Sequence, residues 1–180
     1  KIQKYIDKVL LPTYDVFDET RYFSSGGKPS VWDFPINGKI IKIGIQICED
    51  LWDDDYDCKV SEIQKGLGAS LIINISASPY SRGKASDRVK LINTKVKNTR
   101  LPFIYCNMVG AQDELIYDGE SFIMNSSGSI IAYLKSFCED KAVVDIDSKA
   151  KIKVASFSDE EKTYKALVLG LRDYFHKTSH

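Results

Sequence analysis

Histidine is almost missing from this sequence: the only two, His176 and His180, fall within the last five residues. A cysteine–histidine catalytic pair therefore has no histidine to use unless the chain end folds back over the body, and a His/Cys zinc site is improbable. The four cysteines, Cys48, Cys58, Cys106 and Cys138, form neither CxxC pairs nor a dense disulfide framework, so reduced thiols are expected. No apolar run reaches the roughly 20 residues needed to span a bilayer. No charged-then-apolar leader precedes a small-residue cleavage site, which makes the cytoplasm the expected location. Charge of one sign is not in excess either. Lys and Arg number 25 and Asp and Glu 25, so no overall field points to nucleic acid or an anionic membrane.

What is present suits one globular domain: 180 residues, 43% hydrophobic. Lys1 to Leu11 reads as the middle of something, and a fragment is expected. Residues 39 to 48 alternate as a strand with Ile41, Ile43, Ile45 and Ile47 on one face. Val60 to Leu67 follows as a short helix ended by Gly66 and Gly68, and Ser70 to Ser76 is an apolar run suited to a strand covered on both faces. Ser86 is expected to cap a helix to about Asn98 with Val89, Ile92 and Val96 as its stripe. Arg100 to Asn107 is the next strand. Strand, helix, strand, helix, strand is the grammar of an α/β layer. After Gly119, ESFIMN and SIIAYLK around SSG predict a hairpin, and KAVVDID one more strand, giving a mixed sheet. Ser158 opens a capping box for a helix to about Lys177, with Tyr164, Leu167, Val168, Leu171 and Phe175 on one face.

The question lies in IQICEDLW, residues 45 to 52, where a thiol sits between a strand end and two acids. A buried cysteine that only fills space is the commoner case. A nucleophile needs a base or a cation beside it, and without histidine, Lys and Glu remain. Other chemistries fit poorly. The acidic run from Asp53 to Asp57 begins like a calcium loop, but Cys58 stands where that loop needs glycine and Gln64 where it needs glutamate. Gly83-Lys84 lacks the spacing of a phosphate loop. Tyr5, Tyr14 and Tyr22 are not interleaved with basic residues.

Four ordered blocks settle the comparison: KVLLPTYDVFDETRYF, GIQICEDLW, NISASPYSRGK and VGAQDELIYDGESF. Together they resemble the nitrilase superfamily and, more narrowly, the glutaminase domains of glutamine-dependent NAD synthetases. The helix YKALVLGLRDYFHK resembles the one leading into that family's ammonia-using domain. The resemblance implies an αββα sandwich with mixed sheets, incomplete in this chain, with residues 1–150 as its C-terminal part, 151–158 as a linker and 159–180 as the leading helix of an otherwise absent synthetase domain. It implies a Glu–Lys–Cys triad in which Cys48 is the nucleophile and Lys8 the lysine. The family's general-base glutamate lies well upstream of that lysine, and only seven residues precede Lys8 here.

By the same resemblance Tyr14, Glu49, Trp52, Ser78 and Lys84 line the glutamine pocket, Ser76 lies close by, and Glu19 is a second acid near Lys8. Partners implied are glutamine, the synthetase domain of the same polypeptide and a homo-oligomer, with no nucleic acid and no membrane. No cofactor is implied in this domain; ATP and Mg are expected in the synthetase domain. Cys58, Cys106 and Cys138 read as structural or incidental. Two rivals stand beside this reading: another nitrilase-type amidase or carbamoylase, sharing the Lys and Cys, and a non-catalytic fragment of the fold.

Overall fold

The structure, a computed structural model, describes residues 5–154 and 157–178. Its centre is a six-stranded mixed sheet. β1 (Val31–Ile36) and β2 (Lys39–Ile47) form an antiparallel hairpin turned at Asn37-Gly38, and the short α1 (Val60–Gly66) then leads to β3 (Leu71–Ser76). The long α2 (Lys84–Thr99) connects β3 to β4 (Phe103–Asn107), and β2, β3 and β4 run parallel, as two strand–helix–strand crossovers require. β5 (Val109–Gln112) and β6 (Leu115–Asp118) make a separate two-stranded ribbon. β7 (Phe122–Met124) and β8 (Ile130–Tyr133) return to the main sheet antiparallel, giving the order β1-β2-β3-β4-β7-β8. The last element is α3 (Asp159–Thr178). None of the described helices is long and apolar enough to cross a membrane.

The two faces of the sheet differ. On one, Ile72, Phe103, Tyr105, Phe122 and Met124 pack with Ile92 and Val96 of α2 into the main core. Each large side chain buried there contributes about 1.5–3 kcal/mol. α1 lies on the same face so closely that a Cβ at Gly44 would meet Gln64 Oε1 at 2.7 Å. That approach lets Gln64 donate to the carbonyls of Ser30 and Ile45 and accept from Gln46. On the other face the register aligns Ile45, Ile73, Ile104 and Ile123 in one row across four strands. Ile75, in the next row beside Ile47, is 52% exposed.

Three expectations change, and a fourth holds with a face turned the other way. The helix expected to start after Ser86 begins at Lys84, because Gly83 reaches φ +82 and makes the turn directly ahead of it. It runs on to Thr99, and Arg100 closes it in the left-handed region, so β4 starts only at Phe103. KAVVDID is no strand: residues 141–147 are irregular and Val143 is fully exposed, since alternation alone does not supply a neighbour to pair with. The stripe of Tyr164, Leu167, Val168, Leu171 and Phe175 does share a face of α3, but that face is turned to solvent. The helix docks through Ala166 and Leu169 with Phe137, Tyr80, Val109 and Ile116 around them, and the Asp173 carboxylate accepts the Ala111 N–H at 2.8 Å. Ser158 caps it as expected, its Oγ accepting the Glu161 N–H at 3.2 Å. Residues 155–156 of the expected linker and 179–180, His180 included, lie outside the described residues.

Candidate active site

β2 ends at Ile47, and the chain turns at once into a 3-10 turn, Cys48–Leu51. Cys48 has φ +47, a left-handed conformation that costs a non-glycine residue of order 1–3 kcal/mol. The neighbouring strand end supplies its surroundings. Asn74 Nδ2 donates to the Cys48 carbonyl at 3.3 Å, and the Ser76 hydroxyl donates to Asn74 Oδ1 at 2.6 Å. Burial pushes the Cys48 thiol up; Lys8, the Ala77 N–H and the Ser76 hydroxyl each pull it back toward thiolate, while Glu49 adds to the rise. At rest the sulfur is thus held as a thiol rather than a thiolate, and attack requires a proton acceptor.

Cys48 lines two adjoining cavities. The larger, about 950 Å³, also takes in Lys8, Glu19, Ile75, Ser76 and Tyr117. Lys8 arrives on an irregular segment, its ammonium held by both Glu19 oxygens at 2.7 and 2.6 Å. The smaller, about 170 Å³, joins Cys48 to Tyr14, Glu49, Trp52, Ser78 and Lys84. All nine residues singled out in the sequence therefore meet at the C-terminal ends of β2 and β3 or in the segments beside them. Neither cavity is lined by histidine, and no group of His, Cys, Asp and Glu among the described residues could hold a metal.

The smaller cavity has an acidic and a basic end. Glu49 is buried, and its two oxygens accept the hydroxyls of Tyr14 at 2.8 Å and Tyr56 at 3.0 Å. Burial raises the Glu49 carboxyl above the ordinary glutamate range, against the pull of the two phenols and Lys8. Desolvation, with the acceptor Glu49 beside it, pushes the Tyr56 hydroxyl up to about 12, so it remains a donor at neutral pH. In the same cavity the Lys84 ammonium lies 4.1 Å from the centre of the Trp52 ring, a cation–π contact that holds it there.

Sequence reasoning missed the scaffold behind these residues. Arg88, 1% exposed, donates to both Asp118 oxygens at 2.8 and 2.9 Å, and to the carbonyls of Ser78 and Pro79 at 2.9 and 3.1 Å. Asn107 completes the clamp, its Oδ1 accepting the Ser78 N–H at 2.9 Å. The pocket loop is thereby tied to α2, β4 and β6 at once. Neither carries a local signal: Arg88 is a single charge within a helical stretch, and Tyr56 lies inside the acidic run from Asp53 to Asp57.

The chain and its fold have known relatives. The carbon–nitrogen hydrolase family profile matches residues 2–154. A glutamine-dependent NAD(+) synthetase of Synechocystis is 42% identical over 190 residues, covering 98% of this chain and 33% of that protein. One of Thermotoga maritima is 33% identical, covering 94% and 35%. The chain thus spans about a third of the length of the curated relatives it matches. Among solved structures, a glutamine-dependent NAD+ synthetase of Acinetobacter baumannii superposes with a TM-score of 0.85 at 32% identity, over 98% of this chain and 33% of that one. A carbon–nitrogen hydrolase of Helicobacter pylori, at 22% identity, TM-score 0.61 and coverage of 73% and 48%, shares the fold. With most of its length matched by that profile and a nitrilase-type mixed α/β fold, the chain belongs to the carbon–nitrogen hydrolase family.

Proposed function

We infer that this chain is the glutaminase part of a glutamine-dependent NAD synthetase. The observation that carries this is Cys48 itself, shared between a cavity holding the Lys8 cation and one holding an acid and a base, Glu49 and Lys84. A free amino acid is a zwitterion, and such a pocket takes its ammonium at Glu49 and its carboxylate at Lys84. The two phenols use one lone-pair site on each Glu49 oxygen, which leaves others for the substrate. The side-chain amide then reaches Cys48. Sulfur attacks the amide carbon, the thiol proton passes through a base to the leaving nitrogen, and ammonia departs from a thioester. Water cleaves that thioester to glutamate, regenerating the thiol. Lys8 and the Glu49 backbone N–H stabilise the oxyanion.

In the relatives' full-length proteins the same reading passes the ammonia to a fused synthetase domain, where ATP with Mg activates nicotinic acid adenine dinucleotide for amidation. A homo-oligomer belongs to this reading as well. The test is labelling with an electrophilic glutamine analogue, read by mass spectrometry. Modification at Cys48, prevented by glutamine and not by aliphatic amides or N-carbamoyl compounds, is expected. Preferential modification at Cys58, Cys106 or Cys138 overturns the assignment, and protection by a simple amide favours the amidase alternative.

A further inference from the structure

Asp50, two residues after the nucleophile, is 1% exposed and touches neither cavity. Both oxygens of its carboxylate are nonetheless engaged, and only by backbone. Oδ1 accepts the N–H groups of Val9 at 3.0 Å and Leu10 at 2.9 Å; Oδ2 accepts that of Ile47 at 2.9 Å. Val9 and Leu10 directly follow Lys8, and Ile47 directly precedes Cys48. One carboxylate thus bridges two segments some forty positions apart in sequence, each carrying one of the reacting groups. Hydrogen bonds to an ionised acceptor are about twice as strong as neutral ones.

We propose that Asp50 is a positioning residue, which sets the Lys8 segment against the Cys48 turn so that the Lys8 ammonium faces the sulfur. The inference rests on the reading of Cys48 as nucleophile with Lys8 as its cation. Two further features support it. The segment from Tyr5 to Pro12 forms no regular element, so its register against β2 depends on local contacts such as these. Cys48 also sits at φ +47, a conformation that persists only where its surroundings over-determine it. Asp50 does so from the residue before, Asn74 from the Cys48 carbonyl. Burial raises the Asp50 carboxyl, and the three N–H donors and Lys8 offset that rise only in part.

The readout is the pH profile of Cys48 alkylation by iodoacetamide, a reaction that needs no substrate. The titratable groups that bear on this sulfur are Lys8, Glu49, Tyr14, Tyr105 and Tyr117, beside the Ala77 N–H and the Ser76 hydroxyl. Removing the lysine in Lys8→Met is expected to shift the profile to higher pH. Asp50→Asn, which keeps an acceptor for Val9 and Leu10 but turns an amide donor toward the Ile47 N–H, is expected to shift it the same way and to slow alkylation at neutral pH about tenfold. Asp50→Ala should shift it further.

The decisive comparison is the double variant. If Asp50 acts through Lys8, Asp50→Asn added to Lys8→Met produces no additional shift; a merely structural role adds its own effect whether or not the lysine is there. An unchanged profile in a folded Asp50→Asn protein, or fully additive shifts, overturns the proposal. Asp50→Asn is the variant that decides should Asp50→Ala not fold. Failure of the glutamine analogue to label Cys48, with the coupling intact, would remove the substrate assignment and leave the positioning role standing.

Discussion

Glu49 shows how one side chain is prepared for one task. Buried, it tends to hold its proton, and the hydroxyls of Tyr14 and Tyr56 offset that tendency. Its folded pKa lies above the ordinary value, so on acidification it becomes neutral at a higher pH than an exposed glutamate would. The attraction for a substrate ammonium is therefore present above that raised pKa and lost as pH falls through it. The concentration dependence of labelling by a glutamine analogue should weaken on that limb. In Tyr56→Phe the limb should move to still higher pH, and affinity at neutral pH should fall about fivefold, the worth of roughly 1 kcal/mol for one hydrogen bond. Tyr14→Phe should behave alike. An unmoved limb in both variants would mean that Glu49 does not meet the ammonium. Cys48, Lys8 and Glu49 were legible because their neighbours in sequence form specific blocks. Tyr56 was not, since the contact that matters exists only once the turn after Cys48 brings residue 56 back to residue 49.

At the scale of elements, two joints hold the site, and both can be probed by stability. The first is the Arg88 clamp. Arg88→Met leaves the Asp118 carboxylate buried without its cation, and breaking such a pair typically costs about 3–5 kcal/mol. Urea unfolding should show that loss, together with weaker labelling of Cys48, because the Pro79 carbonyl loses its donor and the Ser78 carbonyl keeps only Asn107 Nδ2. The second is the contact of α1 with β2 at Gly44. Gly44→Ala drives a methyl group to 2.7 Å from Gln64 Oε1, a side chain already committed to three bonds, and should cost about 1–3 kcal/mol. A midpoint shift below experimental error would show that α1 can move aside.

The elements themselves were only partly readable. β2, α1, β3 and the β7–β8 hairpin carry periodicity strong enough to see, as does α3 with its capping serine. β1 was missed although Asn37-Gly38 is a hairpin signal, because Pro35 interrupts the run; the structure tolerates it by placing β1 at the sheet edge. The β5–β6 ribbon was hidden for another reason. Its strands are four residues each, and Val109 and Ile116 pack on α3 rather than on the main sheet.

For the whole molecule, local pattern reveals which residues share a face but not what covers it. Ile45, Ile73, Ile104 and Ile123 lie in one row on the side of the sheet away from the main core, and Ile75 in the next row is half open. A second apolar surface runs along α3, where Leu167 and Leu171 are each more than 60% exposed. Contiguous apolar patches of this kind promote association. The isolated 180-residue chain should accordingly self-associate as its concentration rises, as measured by light scattering and sedimentation. The sheet face should dominate, because its half-buried isoleucine row is continuous over four strands and open at Ile75, while α3 offers one narrow stripe. A charge at its centre, Ile73→Lys, should therefore reduce association more than Leu167→Lys with Leu171→Lys. Both variants should keep iodoacetamide reactivity at Cys48, since none of these residues lines either of its cavities. Greater relief from the helix pair would make α3 the principal contact, and a chain that stays monomeric at high concentration would show that neither surface is adhesive in solution.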